Sequence, residues 1–368
     1  MKTTERLHDL GQSLWLDNIA RELLTNGTLR RYIREYSVTG LTSNPAIFDK
    51  AIKEADFYDS AIRQKTTEGK SGEPMFFELA LEDLTQAADP FRPIYEDTSG
   101  VDGWVSLEVS PLLANNTAGT VSAVAQLHRR AQRPNLYIKI PGTHAGLRAI
   151  EESIFAGVPV NVTLLFSREQ YIAAAQAYMR GIERRIAAGL DPKVSSVASI
   201  FVSRWDVAVK DKIPQEFHNR LGIAIAQRAY KAHREILAAP RSRAPIAAGA
   251  RPQRLLWAST GTKDATASDT LYIEALAAPD TINTIPDKTL HAFADHGQLT
   301  KVMAVNGGDA EAVLASFTRL GVDTAALAVQ LQREATESFD KSWSDFMGRI
   351  ASKSALLGTG DQEHAGLS

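Results

Sequence analysis

The sequence of 368 residues contains no cysteine. That absence excludes disulfide bonds, thiolate nucleophiles and metal sites with cysteine ligands from this chain. Neither sign of charge dominates, since 41 basic residues stand against 43 acidic ones and the net charge is −2. Such a balance gives no reason to expect nucleic acid or a membrane surface as a partner.

Long apolar runs are also missing. No stretch approaches the roughly 20 apolar residues of a membrane-spanning helix, and the charged segment 1–16 lacks the apolar centre of a signal peptide. The composition, with 44% hydrophobic and 23% charged residues, is typical of a globular protein with a large core. We therefore expect a cytoplasmic protein with no membrane partner.

Eight short apolar runs indicate strands, and helical patterns separate most of them. This alternation predicts a parallel sheet with helices outside it. A count of eight favours closure into a (β/α)₈ TIM barrel over an open doubly wound sheet, and no glycine-rich nucleotide-binding fingerprint follows the first run. The predicted strands are 14–19, 38–43, 103–109, 136–141, 159–165, 196–202, 254–260 and 281–286.

Two connections are long enough to hold extra elements. We expect helices over 46–63 and 75–89, and a loop over 240–245. Residues 308–350 are helical in pattern, whereas 352–368 is small and polar. The sequence therefore predicts one barrel domain over 1–351 with a helical C-terminal extension, followed by a flexible tail over 352–368.

A lysine, Lys139, stands in the middle of the apolar strand 136–141. An ammonium is costly in a strand buried on both faces unless its pKa falls or a partner holds it. A desolvated lysine loses its proton readily, and the neutral amine attacks a carbonyl to form a Schiff base. The alternative is a structural lysine that reaches solvent from the end of the strand. The rest of the sequence decides between these interpretations.

Polar residues lie at or near the carboxyl ends of seven predicted strands. In a barrel of parallel strands these ends meet at one mouth, where the chemistry takes place. Glu108 is the hardest of them to explain structurally, because an unpaired buried carboxylate is costly. Their convergence predicts an active site. With Lys139, the candidates are Asp17, Asn44, Glu108, Asn161, Thr163, Ser199, Arg204, Ser259 and Lys263.

Each candidate has a structural alternative when taken alone. Asn44 precedes Pro45 and would suit the cap of a helix that begins there. Asn161, Thr163 and Ser199 would also suit satisfied polar groups of the core. The two basic residues after the sixth and seventh strands would suit an exposed surface. These alternatives do not explain why polar residues occur together at the ends of so many predicted strands.

Several segments, in the expected order, resemble signatures of the transaldolase family. The similarity covers about residues 10–345 and is strongest to the longer-chain branch of that family. The segment around Lys139 resembles the family's Schiff-base lysine segment. The matching segments are 40–48 (GLTSNPAIF), 135–143 (NLYIKIPGT), 161–167 (NVTLLFS), 199–204 (SIFVSR), 257–263 (WASTGTK) and 283–286 (NTIP).

This resemblance implies a reaction of carbohydrate metabolism, in the pentose phosphate pathway. A dihydroxyacetone unit would move from sedoheptulose 7-phosphate to glyceraldehyde 3-phosphate, giving erythrose 4-phosphate and fructose 6-phosphate. The resemblance implies no metal and no organic cofactor, and the histidines form no HExxH pair. Sugar phosphates are the expected partners, and the chain is expected to be a monomer or a homodimer.

Roles for the candidates follow from the same resemblance. Lys139 would form the imine, and Asp17 would exchange a proton with the C4 hydroxyl. Glu108 with Thr163 would hold a water that carries protons during imine formation. The hydroxyl groups of the substrate would be bound by Asn44, Asn161 and Ser199, beside Phe201, and the phosphate by Arg204, Ser259 and Lys263.

One position departs from the family pattern. Many transaldolases carry an arginine soon after the seventh strand as a phosphate ligand, whereas the basic residue here is Lys263, offset by a short insertion. A lysine aldolase of the same superfamily, which releases dihydroxyacetone, is the nearest alternative function. Such aldolases tend to have Gln where Glu108 stands and Tyr where Phe201 stands, so both positions favour transfer. A metal-dependent aldolase and a catalytically silent sugar-phosphate-binding barrel are the remaining alternatives.

Overall fold

A computed structural model describes residues 2–54 and 56–364. Its eight parallel strands close into a barrel in which each strand pairs with its neighbours in sequence and β1 pairs with β8. The prediction of a (β/α)₈ barrel is therefore confirmed. The strands are β1 Ser13–Asp17, β2 Val38–Thr42, β3 Trp104–Glu108, β4 Leu136–Pro141, β5 Val160–Leu165, β6 Ser196–Phe201, β7 Arg254–Ala258 and β8 Thr281–Ile285.

Helices surround the barrel, and four short 3₁₀ turns lie between them in the described ranges. The helices are α1 Thr3–Asp9, α2 Arg21–Thr25, α3 Thr28–Tyr36, α4 Pro45–Glu54, α5 Asp59–Thr67, α6 Gly72–Asp97, α7 Thr117–Ala131, α8 His144–Phe155, α9 Arg168–Ala187, α10 Ser203–Val209, α11 Leu221–Ala238, α12 Pro240–Ala247, α13 Leu271–Ala275, α14 Asp287–His296, α15 Ala310–Arg319 and α16 Thr324–His364.

The interior of the barrel is built in layers. Side chains alternate along each strand, so Tyr137 and Lys139 share one face of β4, as Trp15 and Asp17 share one face of β1. In the lower layer Trp104 stacks on Tyr137 with ring centroids 4.0 Å apart. This aromatic layer fills the barrel beneath the polar side chains near the carboxyl ends of the strands. Because this layer fills the barrel below Lys139, β4 can carry a lysine without leaving a gap in the apolar core.

One glycine is required by this packing. A Cβ atom on Gly40 of β2 would lie 2.6 Å from the Trp15 ring and 2.7 Å from the Trp104 carbonyl oxygen. No side chain fits there, so the bulky indole of Trp15 depends on a glycine on the neighbouring strand.

Three predictions for the connections are wrong. The helix expected over 46–63 is divided into α4 and α5, with a 3₁₀ turn at Asp56–Tyr58 between them. Residues 240–245 begin helix α12 instead of a loop, because Pro240 occupies the first turn, where its missing amide costs no hydrogen bond. Helix α6 runs on to Asp97 through Pro90 and Pro93, past the predicted end at residue 89. Burial of Phe91 on this helix shows that packing against the barrel outweighs the proline penalty there.

The C-terminal extension is helical, as predicted, and α16 continues to His364. It therefore includes most of the segment expected to form a tail, whose last four residues, 365–368, lie outside the described residues. In the described ranges no single helix has the length and apolar character of a membrane span, although α15 and α16 up to Leu357, joined by a 91° bend, meet those criteria as a pair.

Candidate active site

A cavity of about 240 Å³ opens at the carboxyl ends of the strands. Nine of the eleven predicted site residues line it, whereas Glu108 and Asn161 lie beneath its floor. The nine are Asp17, Asn44, Lys139, Thr163, Ser199, Phe201, Arg204, Ser259 and Lys263.

Lys139 projects from β4 into the centre of the barrel and is only 6% exposed. Its Nζ donates a hydrogen bond to the Ser43 carbonyl oxygen at 2.9 Å and lies 3.1 Å from Glu108 Oε2. The pairing of β3 with β4 puts Glu108 directly beside Lys139, so the strand register itself brings the two side chains together. An amine held in this way faces the cavity with a carboxylate behind it.

Glu108 is the more deeply buried partner. Burial raises the pKa of its carboxyl, and the nearby positive charge of Lys139 opposes that rise. Neither carboxylate oxygen accepts a well-aligned hydrogen bond from the described residues, and the same is true of the buried hydroxyl of Thr163. The contact with Lys139 is thus an ion pair, and hydrogen-bonding capacity is left at this point of the site.

Asp17 ends β1 and lines the same cavity as Lys139. Thr42 Oγ1 donates to Asp17 Oδ1 at 2.8 Å and lies 2.6 Å from Thr284 Oγ1. Because the Thr42 proton points to the carboxylate, the Thr284 hydroxyl must donate to Thr42. Burial raises the pKa of Asp17, while Lys139, the Thr42 hydrogen bond and Lys263 act to lower it. The net effect is a raised pKa, which makes the ionised carboxylate a stronger base than that of an exposed aspartate.

Asn44 lies between β2 and α4. The Ile47 amide donates to Asn44 Oδ1 at 3.1 Å, so the side chain caps the helix that begins at Pro45, as its structural alternative predicts. The residue also lines the cavity. The cap fixes the side-chain carbonyl and leaves the amide nitrogen, which the described structure gives no partner, on a rigid helix start.

Asn161 and Ser199 form a buried chain across β3, β5 and β6. Ser199 Oγ donates to Asn161 Oδ1 at 2.7 Å, and Asn161 Nδ2 donates to Ser106 Oγ at 3.1 Å. The amide group of Asn161 is thus occupied beneath the cavity floor, where it orients Ser199. Direct contact of Asn161 with a substrate stays a prediction, and its observed partners indicate a positioning role.

The basic end of the cavity lies at β6 and β7. Arg204, near the start of α10, sits 5.5 Å from the centre of the Phe201 ring, and burial lowers the pKa of its guanidinium. Ser259 adopts the left-handed conformation with φ 55°, and its hydroxyl lies 2.9 Å from that of Ser203. Neither Arg204 nor Lys263 pairs with a carboxylate of the described residues. Two unpaired cations beside these hydroxyls suit an anionic group of a ligand.

Several cavity residues were missed by the sequence analysis. Thr42 and Thr284 gave no signal because threonine is common in strands for structural reasons. Three further residues, Ser338, Phe339 and Ser342, belong to α16, far along the chain from the strand ends. The described residues contain no group of three or more His, Asp or Glu placed to hold a metal ion.

Comparison with known proteins agrees with the residue pattern. A family model described as "Transaldolase/Fructose-6-phosphate aldolase" matches residues 14–350. A protein of Saccharopolyspora erythraea named "Transaldolase" is 43% identical over 94% of this chain and 96% of its own length. One of Thiobacillus denitrificans with the same name is 42% identical over 95% of this chain and 100% of its own, and "Transaldolase 1" of Streptomyces avermitilis is 41% identical over 98% and 97%.

Proposed function

Because this chain belongs to the transaldolase/fructose-6-phosphate aldolase family, we propose a specific reaction for it. Its relatives support a transaldolase, and hence a transferase, as the activity. The proposed reaction moves a dihydroxyacetone unit from sedoheptulose 7-phosphate to glyceraldehyde 3-phosphate. The products are erythrose 4-phosphate and fructose 6-phosphate, within the pentose phosphate pathway of the cytoplasm.

One observation carries this proposal. Lys139 Nζ reaches into the cavity from a core strand, 3.1 Å from the Glu108 carboxylate, and Asp17 lines the same cavity. A primary amine with one carboxylate beside it and a second carboxylate in the same cavity has the parts that imine chemistry requires: a nucleophile and two separate proton carriers.

Imine formation is the first half of the proposed mechanism. Lys139 passes a proton to Glu108, and the neutral amine attacks the C2 carbonyl carbon of the donor ketose. A second proton moves from the nitrogen to the former carbonyl oxygen, which gives the carbinolamine. Glu108 then returns its proton through a water bound with Thr163, so the carbinolamine hydroxyl leaves as water and the protonated imine remains. The buried oxygens of both side chains accept no hydrogen bond from the described residues, which supports this role.

Cleavage and transfer form the second half. Asp17 takes the proton of the C4 hydroxyl, the C3–C4 bond breaks, and its electron pair moves into the protonated imine to give an enamine. The aldose product leaves, and the enamine carbon then attacks the aldehyde of the acceptor. Asp17 returns the proton to the new hydroxyl group, and water finally hydrolyses the imine to free the ketose and Lys139.

Substrate positioning is assigned to the rest of the cavity. Asn44 and Ser199 would hydrogen-bond the hydroxyl groups of the three-carbon unit, which would remain bound until an acceptor arrives. Arg204 and Lys263, which form no ion pair with the described residues, would bind the phosphate together with Ser259. No cofactor takes part in this mechanism, and a monomer or homodimer remains the proposed state.

The family also contains aldolases that release the three-carbon unit. Glu108 and Phe201 favour transfer, because the aldolases that resemble this chain tend to have Gln and Tyr at these positions. A coupled assay with sedoheptulose 7-phosphate and glyceraldehyde 3-phosphate tests the proposal. We expect fructose 6-phosphate and erythrose 4-phosphate in equal amounts from the wild type and none from K139A. Cleavage of fructose 6-phosphate without transfer would identify an aldolase instead.

A further inference from the structure

The long C-terminal helix α16 crosses the mouth of the barrel. Three of its residues, Ser338, Phe339 and Ser342, line the same cavity as Lys139, although nearly 200 residues separate them from β4. Phe339 is the largest of the three and is half-buried. A wall of the cavity is therefore supplied by an element outside the repeating strand–helix units.

On the N-terminal side of Phe339, the helix is tied to the strand ends. Gln332 Nε2 donates to the Gly142 carbonyl oxygen at 3.1 Å and to the Leu164 carbonyl oxygen at 2.9 Å. Gly142 directly follows β4, three residues after Lys139, and Leu164 follows Thr163 on β5. The Leu164 backbone is left-handed at φ 58°, so its carbonyl group departs from the regular strand pattern. One side chain thus links α16 to the two strands that carry the proposed nucleophile and its water-binding partner.

On the C-terminal side, α16 is held by aromatic packing. Trp343 and Phe346 meet Phe76 of α6 edge to face, with ring centroids 4.9 Å and 5.2 Å from it. Both α16 residues are almost completely buried, at 2% and 0% exposure. Phe339 lies between this anchor and Gln332, so its place over the cavity is fixed from both sides.

Phe339 closes the cavity with an apolar surface. It packs against a core cluster that includes Phe201 and Leu164, and Phe201 lies beneath Arg204. Because Phe339, Phe201 and Lys139 line the same cavity, the ring borders the space in which an acceptor would meet the enamine. Apolar side chains at such a position exclude water from the reacting atoms.

Water competes with the acceptor in the proposed mechanism. After C3–C4 cleavage, the enamine carbon either forms a bond to the acceptor aldehyde or takes a proton. In the second case water adds to the C=N bond, the Lys139 amine leaves, and dihydroxyacetone is released. The outcome depends on how well the cavity excludes water while the acceptor site is empty.

We propose that Phe339 is a specificity-determining residue that favours transfer of the three-carbon unit over its release to water. This inference rests on the proposed transaldolase function. According to this inference, one side chain of α16 decides whether the enzyme acts as a transaldolase or as an aldolase, the two activities in the family description.

The test compares two rates on one enzyme. Release is measured as dihydroxyacetone formed from fructose 6-phosphate alone, and transfer as sedoheptulose 7-phosphate formed when erythrose 4-phosphate is added. We expect F339A to raise the ratio of release to transfer about tenfold, at the lower end of the discrimination that an apolar pocket supplies. F339L, which opens a smaller gap, should raise it by about threefold and provides the measurement if F339A does not fold.

V329A is the matched control, because Val329 lies on the same helix and is 67% exposed. Its ratio should equal that of the wild type. A wild-type enzyme that transfers, with the same ratio in F339A and F339L, would overturn the inference and leave the proposed function intact. Equal losses of both rates would also overturn it, since they would assign Phe339 to folding alone. A wild type without transfer would refute the proposed function itself.

Discussion

At the scale of single residues, the site combines groups whose roles can be separated. Asp17 and Glu108 both have a raised pKa, and both are near Lys139. They differ in position: Asp17 lines the cavity, whereas Glu108 lies below its floor beside the amine. We therefore assign proton transfer to the substrate hydroxyl to Asp17, and proton transfer during imine formation to Glu108.

The role assigned to Asp17 predicts that, without this carboxylate, the reaction stops after imine formation. D17N should still form a trappable imine with a donor ketose, while cleavage of C3–C4 slows by about 100-fold or more, as expected for loss of a general base. In the wild type the base acts ionised, and burial raises its pKa above the ordinary 3.8. The kcat/KM should therefore fall as the pH drops through a value above 3.8. Single-turnover cleavage that is as fast in D17N as in the wild type would contradict the assignment.

The Glu108 assignment predicts a slower first step. E108Q keeps the shape of the side chain but cannot accept the proton of Lys139, so imine formation should slow by about 100-fold. Borohydride trapping at successive times after mixing with fructose 6-phosphate measures that rate. If D17N and E108Q stall at the same step, the division of labour between the two carboxylates is wrong.

The basic residues predict a dependence on substrate phosphate. A hydrogen bond to a charged group contributes roughly 1.5–3 kcal/mol, so R204A and K263A should each lower kcat/KM by about ten- to hundred-fold with phosphorylated acceptors. Unphosphorylated glyceraldehyde never uses the contact and should show little loss. Equal losses with both acceptors would mean that the residues support the fold or the imine. Normal activity in K263A would leave Arg204 as the charged anchor and remove Lys263 from the site.

Most of the candidate site was visible in the sequence because strand ends carry it. A buried lysine, a carboxylate on the neighbouring strand and polar residues at the ends of five further strands are unusual enough to identify from the residue pattern. The hydrogen-bond partners of Asn161 were not predictable, since they come from β3 and β6 and depend on which layer of the barrel it occupies. Asn44 caps α4, as its structural alternative predicts, and it also lines the cavity. Its contact with a substrate stays a prediction.

At the scale of elements, the strands were predicted to within two residues at each end, and the helices less well. Strand ends are marked by the change from apolar to polar residues, whereas proline misled the prediction of α6 and α12. In α6, packing around Phe91 outweighs the cost of proline inside a helix. In α12, Pro240 avoids that cost because it lies in the first turn. Such compensation depends on the tertiary structure.

The contact between β1 and β2 makes a prediction about stability. In G40A the new methyl group would meet the Trp15 ring at 2.6 Å, so we expect a loss of about 1–3 kcal/mol in the free energy of unfolding. Urea unfolding followed by tryptophan fluorescence measures it. G348A on α16 is the control, because among the described residues no atom outside the local helix backbone lies within 4 Å of its added Cβ, and helix propensity should make it neutral or slightly stabilising. An unchanged midpoint in G40A would show that Trp15 can move aside.

At the scale of the whole molecule, the closed barrel joins residues from every part of the chain in one cavity. Alternation of strands and helices, with eight strands, was sufficient to predict this closure. The crossing of α16 over the mouth was not predictable, because it depends on Gln332 and on aromatic contacts with α6. The sequence thus indicated the part of the site that the strand ends supply. Only the structure revealed that α16 supplies one further wall of the cavity.

The central claim is that Lys139 forms a Schiff base with a ketose donor, and borohydride reduction tests it most directly. Fructose 6-phosphate and borohydride should add one reduced three-carbon unit to the wild type, and peptide mass spectrometry should place it on Lys139. K263A, which keeps the proposed nucleophile but lacks the other lysine of the cavity, should be labelled at the same position, and K139A should not be labelled. Labelling of a different lysine, or no labelling of the wild type, would contradict the account.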